Sequence, residues 1–201
     1  MAPYITALVT LFVVIDPIGL VPLFMALTQG VAAQQRRRVG LRAITVAFFL
    51  LTLFALAGEK ILTAIGISLS AFRIAGGILL LLTAFDMLFE RRTERREGQT
   101  ADEPQDPSVF PLAIPLLAGP GALASMILLA GESGGWGHTV LIILVMAAVL
   151  ASAAILFELA TPLGRMLGRT GTMVVTRLLG MLLAALSIQF IIDGLKGSGL
   201  F

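Results

Sequence analysis

Six apolar runs separated by short polar breaks make up this chain, near 4–28, 39–58, 67–89, 109–131, 138–157 and 173–195. Each approaches the roughly 20 apolar residues that carry an α-helix across a bilayer. The pattern therefore predicts an all-α membrane protein with six transmembrane helices. Two of the runs are interrupted in the middle. Asp16-Pro17, followed by Gly19 and Pro22, breaks the first; Gly119-Pro120-Gly121 breaks the fourth. Lipid supplies no water to an unpaired backbone group, so a span breaks at mid-membrane only where protein or a polar cavity takes over the freed N–H and C=O groups. Two breaks in matching positions point to a binding site at the membrane centre.

The punctuation repeats. Pro17 and Pro120 are 103 positions apart, and Arg73-Ile74-Ala75-Gly76 and Arg177-Leu178-Leu179-Gly180 are 104 apart. Three helices per half is an odd number, so the second half inserts upside down relative to the first. This is the inverted-repeat plan of many secondary transporters. The expected organisation is a first three-helix repeat (1–90), a charged linker (91–108) and a second, inverted repeat (109–201).

Composition agrees with the pattern: 58% of the 201 residues are hydrophobic and only 13% charged, against about a quarter charged in a soluble domain. The net charge of +2 does not imply a nucleic-acid partner, because the arginines lie in short runs between apolar segments, where topology accounts for them. Arg36, Arg37, Arg38 and Arg42 flank the first loop, Arg91, Arg92, Arg95 and Arg96 lie in the third, and Arg165 and Arg169 in the fifth. The other side offers mainly Lys60 and Lys196. By the positive-inside rule the odd loops are cytoplasmic and both termini outside. Acidic Glu94, Glu97, Asp102, Glu103 and Asp106 do not offset this, and the segment reads as a solvated linker rather than a docking strip. Met1 to Gln29 has no basic start, carries Asp16 within its apolar run and contains three prolines, so it reads as a retained helix and not a cleaved signal. The chain has no cysteine, which excludes disulfides and thiolate metal sites.

Asp16 has the side chain of an N-cap and Pro17 suits a first helical position, so together they can end one half-helix and start another. Pro120 can do the same in the second half, with Gly119 and Gly121 keeping side chains out of its mouth. Two half-helix N-termini near the midplane would suit a small anion or zwitterion. Asp16 has three candidate jobs: holding a substrate ammonium, ligating a cation such as Na⁺, or carrying a proton. Low dielectric favours the neutral acid and a neighbouring cation the ionised one, so the residues do not choose. The plainer alternative is that Asp16 only caps its half-helix. Ser125, one turn beyond Gly121, adds a hydroxyl to the site or serves helix packing. Arg73 with Asp193 at the outer level, and Asp86 with Arg177 at the inner level, are expected to pair as gates, the alternative being that each snorkels to its own interface. His138, with no metal-ligating partner in sight, reads as interfacial, as do Trp136 and Tyr4 in the outer aromatic belt. The eight methionines read as packing filler.

The segments Leu11-Phe12-Val13-Val14-Ile15-Asp16-Pro17-Ile18-Gly19-Leu20-Val21-Pro22 and Phe110-Pro111-Leu112-Ala113-Ile114-Pro115-Leu116-Leu117-Ala118-Gly119-Pro120-Gly121 resemble the two signature segments of the MarC family of bacterial and archaeal membrane proteins, and the resemblance covers essentially the whole chain. It implies a multi-pass protein of the prokaryotic inner membrane and a neutral amino-acid transporter. Its cargo would be a small neutral amino acid such as glycine or alanine, with Na⁺ or H⁺ as coupling ion and no other cofactor. The half-helix N-termini would receive the amino-acid carboxylate, and Asp16 the ammonium or the ion. Two rivals are weaker. An intramembrane enzyme would want paired carboxylates or His-Glu-x-x-His, and neither occurs. A channel or non-transporting subunit would not give saturable uptake. No G-x-x-x-x-G-K-[ST] motif is present to drive transport by nucleotide.

Overall fold

The computed structural model describes residues 2–89, 106–131 and 135–199. These form α1 (Ala2–Ile15), α2 (Leu20–Leu27), α3 (Ala33–Ala64), α4 (Leu69–Leu88), α5 (Ser108–Leu117), α6 (Pro120–Ala130), α7 (Gly135–Glu158) and α8 (Ala160–Gly197), with no β-strand among the described residues. Four helices are individually long and apolar enough to cross a bilayer: α3, α4, α7 and the Thr170–Gly197 part of α8. The pair α1 and α2 bends by 41° and the pair α5 and α6 by 54°. Counting each bent pair as one span gives six.

The contacts distinguish a broken span from a re-entrant hairpin. Tyr4 of α1 packs on His138 at the start of α7, with ring centroids 5.7 Å apart. Phe24 of α2 stacks on Phe157 at the end of α7, at 4.3 Å. The pair therefore travels the length of α7, a helix of about 36 Å at 1.5 Å per residue. In the same way Asp106, just before α5, meets Arg42 near the start of α3, and Ile127 of α6 lies against Gly58 far along it. Both bent pairs cross.

Packing is reciprocal between the halves. The first broken span leans on α7, the second on α3, and α4 and α8 lie along each other. That exchange of partners is what a pseudo-two-fold relation between inverted halves produces. The α4/α8 seam is close because glycine allows it. A Cβ at Gly77 would sit 2.8 Å from Ser187 O, and one at Gly194 would sit 2.9 Å from Ser70 O. Small residues that let backbones approach are the usual means by which helices associate in lipid, where burial of apolar surface offers little drive.

One end of the bundle gathers the polar segments that the sequence assigns to a single side. Arg36 Nη1 donates to Thr161 Oγ1 at 3.2 Å, Arg37 pairs with Glu158 at 2.8 Å, and Arg42 pairs with Asp106. The first, third and fifth polar segments thus meet on one face. Asp106 also accepts from the Ser108 hydroxyl at 2.6 Å and the Ser108 N–H at 3.0 Å. The Ser108 bonds first, and the Arg42 charge after them, hold its carboxyl below the ordinary 3.8. A carboxylate with a lowered folded pKa stabilises above its unfolded value and loses that contribution as pH falls through the folded one. Asp106→Asn is therefore expected to lower the thermal midpoint at neutral pH. The gap from the parent should close as the pH drops below 3.8, a comparison that thermal unfolding at two pH values makes directly.

Three boundaries differ from the expected ones. Helix α3 starts at Ala33 instead of near 39, because Gln and Arg are good helix formers and the polar run simply continues the helix. It stops where Gly66 takes left-handed backbone, with φ +78, and Ile67 N–H returns to Leu62 O at 2.9 Å, a Schellman-type end. Ser68 then caps α4 by accepting from Ala71 N–H at 3.1 Å. The fifth polar segment is helical rather than a loop, since α8 begins at Ala160 and kinks only at Gly168, with φ 60 and ψ −177. Of the expected linker, residues 91–105, with Arg91, Arg92, Arg95, Arg96, Glu94, Glu97, Asp102 and Glu103, lie outside the described residues, as do the side chains of Arg165 and Arg169.

Candidate functional site

Helix α1 ends at Ile15 and Asp16 turns the chain, taking φ +52. Asn and Asp tolerate this left-handed region better than other side chains do. The Asp16 N–H still closes the last turn onto Phe12 O at 2.9 Å. Its Oδ1 accepts from Gly19 N–H at 3.0 Å and its carbonyl from Leu20 N–H at 3.1 Å. Asp16 thus both ends α1 and caps the turn that opens α2. Gly19 is needed here for space, since a Cβ would run into the Asp16 carboxylate.

This geometry corrects the expectation of two open half-helix N-termini. The Gly19 and Leu20 N–H groups are taken by Asp16, and Val21 N–H goes to Ile18 O at 3.2 Å. The start of α2 is closed. The start of α6 is different: Pro120 has no N–H, Leu123 N–H returns to Gly119 O at 2.9 Å, and the Gly121 and Ala122 N–H groups are left as first-turn donors facing the break. Gly119 is held in extended backbone, φ −77 and ψ 168, where a Cβ would meet Pro115 O at 2.6 Å.

The segment leading to this open start is not a regular helix. In α5 the i to i−5 bonds Leu112 N–H to Pro107 O (3.2 Å) and Ala118 N–H to Ala113 O (2.9 Å) replace the α-helical ladder. Phe110 and Ile114 adopt extended backbone, and the Phe110-Pro111 and Ile114-Pro115 bonds are cis. Pro111 and Pro115 supply no N–H and push the residue before them out of the helical region. The sequence reading placed the break at Gly119-Pro120-Gly121; the spaced prolines Pro111 and Pro115 were the signal that it begins earlier.

The two breaks come together. A Cβ at Gly121 would lie 3.5 Å from Val14 Cγ1 and 3.0 Å from Leu80 Cδ2, so the mouth of α6 rests against the last turn of α1 and the middle of α4. Asp16 is 1% exposed, two residues beyond that contact. Helices α1 and α6 are antiparallel, because His138, which packs on Tyr4, also bonds Leu129 O at 2.8 Å. Stepping four residues from the Val14/Gly121 contact along each helix, on the same face, brings Thr10 level with Ser125.

Both hydroxyls are buried, Thr10 at 1% and Ser125 at 0% exposure, and both lack a hydrogen-bond partner. The contrast with their neighbours is sharp. Thr28, Thr45, Thr63, Thr83, Thr172, Ser152 and Ser187 each donate to the carbonyl three or four residues back, the usual resting place of a helical hydroxyl. Thr52 Oγ1 of α3 is also buried and unpartnered. The Arg42/Asp106 and Gly58/Ile127 contacts fix α3 parallel to the second broken span, which sets Thr52 near the level of Gly121. Sequence reasoning found Ser125 but missed Thr10 and Thr52. The available signal for Thr10 was its place on the stripe Thr10, Val14, Pro17 and Val21, all buried. Replacing Thr10 by Val together with Ser125 by Ala is expected to leave the thermal midpoint unchanged or slightly raised, because each removes a buried donor that costs about 1–3 kcal/mol. A fall of several degrees would mean that the hydroxyls serve packing alone.

Of the four residues expected to pair as gates, Asp193 accepts from Gln189 Nε2 at 2.8 Å. The antiparallel α4/α8 seam, with Gly194 against Ser70 and Ile74 and Gly180 against Ala84 and Met87, sets Asp193 level with Arg73. Asp86 falls level with Gly180, about one turn from Arg177. Arg177 is exposed and the other three half-buried. Trp136 is 76% exposed, as a residue directed at the bilayer interface would be.

Comparison with known proteins matches these features to a family. The description "MarC family integral membrane protein" fits residues 1–198. A UPF0056 membrane protein of Archaeoglobus fulgidus is 35% identical over 195 residues, covering 96% of this chain and 92% of that one. One from Methanocaldococcus jannaschii is 38% identical over 202 residues, 97% of each, and YhcE of Escherichia coli is 35% identical over 206 residues, 96% and 92%. No solved structure matches the chain. With its whole length matched and its two proline-glycine breaks in place, the chain belongs to the MarC family of integral membrane proteins.

Proposed function

We propose that this protein is a secondary transporter of small neutral amino acids of the glycine and alanine class, working by alternating access and coupled to Na⁺ or H⁺. The observation that carries the reading is the meeting of the two broken spans at Val14 and Gly121 beside buried Asp16. The open start of α6 offers two N–H donors and the positive end of a helix dipole to a carboxylate. Asp16 accepts from Gly19 N–H, and a carboxylate has about four acceptor sites, so it can serve an ammonium or a coupling ion together with its other partners. Acid and donors on opposite sides of one break match the two ends of a zwitterion. Reciprocal packing of the halves supplies two faces that can open in turn. Arg73 with Asp193, and Asp86 with Arg177, would close the outer and inner faces. The Lys and Arg distribution supports an orientation with both termini outside a prokaryotic inner membrane.

Counterflow of labelled alanine in proteoliposomes tests this reading. The expected result is saturable exchange, competed by glycine and altered by a Na⁺ or pH gradient. Flux that rises linearly with concentration would indicate a channel, and no exchange with either amino acid would reject the transporter reading.

A further inference from the structure

The arginine-rich face carries a second polar site, away from the broken spans. Four elements enclose a cavity of about 130 Å³ there, among them Phe24 of α2, Arg36, Arg37 and Gly40 of α3, Phe157 and Glu158 of α7, and Thr161 of α8. That is about ten times the space one water needs. Its floor is aromatic: Phe24 and Phe157 stack at 4.3 Å with planes 13° apart. Gly40 admits them, since a Cβ there would already touch Phe24 at 3.4 Å and Phe157 at 3.6 Å.

Arg36 is the unusual member. Its guanidinium lies 5.2 Å from the Phe24 ring centre and its Nη1 donates to Thr161. Its Nη2 is buried and has no partner. The ring satisfies the face of the guanidinium, but the N–H groups lie in its plane and need acceptors. Arg37 and Arg42 have carboxylates, Glu158 and Asp106; Arg36 has a hydroxyl and an open cavity. The Arg37 pairing neutralises Glu158, so the lining keeps one net positive charge, that of Arg36. The cavity lies at the start of α3, just before the apolar run that begins at Val39, which is the depth of lipid headgroups.

We propose that this cavity binds a phosphate-class oxyanion, with Arg36 as its principal ligand. Guanidinium favours phosphate through paired N–H donors. Basic pockets between helices at this level suit anionic headgroups, and free phosphate would present the same chemistry. The site stands apart from the transport reading and survives if that reading fails.

Native mass spectrometry of the detergent-solubilised full chain, titrated with phosphatidylglycerol, phosphatidylcholine or inorganic phosphate, tests it. Phosphatidylglycerol binding that phosphatidylcholine does not reproduce identifies a headgroup site; binding of inorganic phosphate as well identifies a general phosphate site. Arg36→Gln should weaken binding at least 10-fold, while Arg38→Gln, which removes the same charge outside the cavity, should change it less than 2-fold. Arg36→Lys keeps the charge without the planar fork and should fall between, which preserves the test if the glutamine variant does not fold. No binding of either anion, or equal losses in the Arg36 and Arg38 variants, overturns the proposal.

Discussion

Asp16→Asn is expected to fold like the parent and to lose at least about 100-fold in alanine exchange, which corresponds to the roughly 3 kcal/mol that removing one partner of a buried ionic contact costs. Asparagine keeps an oxygen for the Gly19 N–H and tolerates φ +52, so the turn between α1 and α2 survives while the charge is gone. Asp16→Ala loses both. A lost cap costs about 0.5–2 kcal/mol and a left-handed alanine about 1–2 kcal/mol, so this variant should unfold earlier as well as fail to transport. The comparison separates capping from chemistry. Asparagine with full exchange activity would reduce Asp16 to a cap and remove the acid from the binding site.

Gly77→Val is expected to destabilise the protein by about 3 kcal/mol or more, toward the upper end for overpacking. The added carbon would meet Ser187 O at 2.8 Å and Ile191 N at 3.1 Å, and backbone cannot rotate aside as a side chain can. The α4/α8 seam would have to open along its length. Gly137→Ala, at a position with nothing within 4 Å, serves as the control for replacing glycine in a helix. Thermal unfolding in detergent and the yield of monodisperse protein read the difference. A Gly77→Val protein as stable as the control would mean that the two helices are not held at this distance.

The six spans were legible because lipid permits so few backbone solutions: once an apolar run reaches bilayer length, helix is the only economical form for it. The breaks were legible for the converse reason, since Asp16-Pro17 and Gly119-Pro120-Gly121 are costly in lipid without a purpose. What could not be read was which freed donors already have acceptors. Asp16 was legible as a cap, but that its carboxylate folds onto Gly19, and so closes the start of α2, is set by one side-chain rotamer that no periodicity records. Thr10 was hidden for a similar reason. A threonine in an apolar helix normally donates to its own backbone, and only the packed arrangement reveals one that does not. The ends of α3 and α8 ran past their apolar cores because arginine and glutamine prolong a helix as well as leucine does once water covers them.

The two halves share a plan but not a chemistry, and this inequality has an energetic consequence. Identical halves would make the inward-open and outward-open forms degenerate, exchanged by the pseudo-two-fold axis with no change in energy. Here one half-helix is sealed by its own acid and the other has donors to spare. On the transporter reading proposed above, the empty protein would therefore have a preferred resting side, and a membrane-impermeant reagent applied from one side and then the other would reveal which.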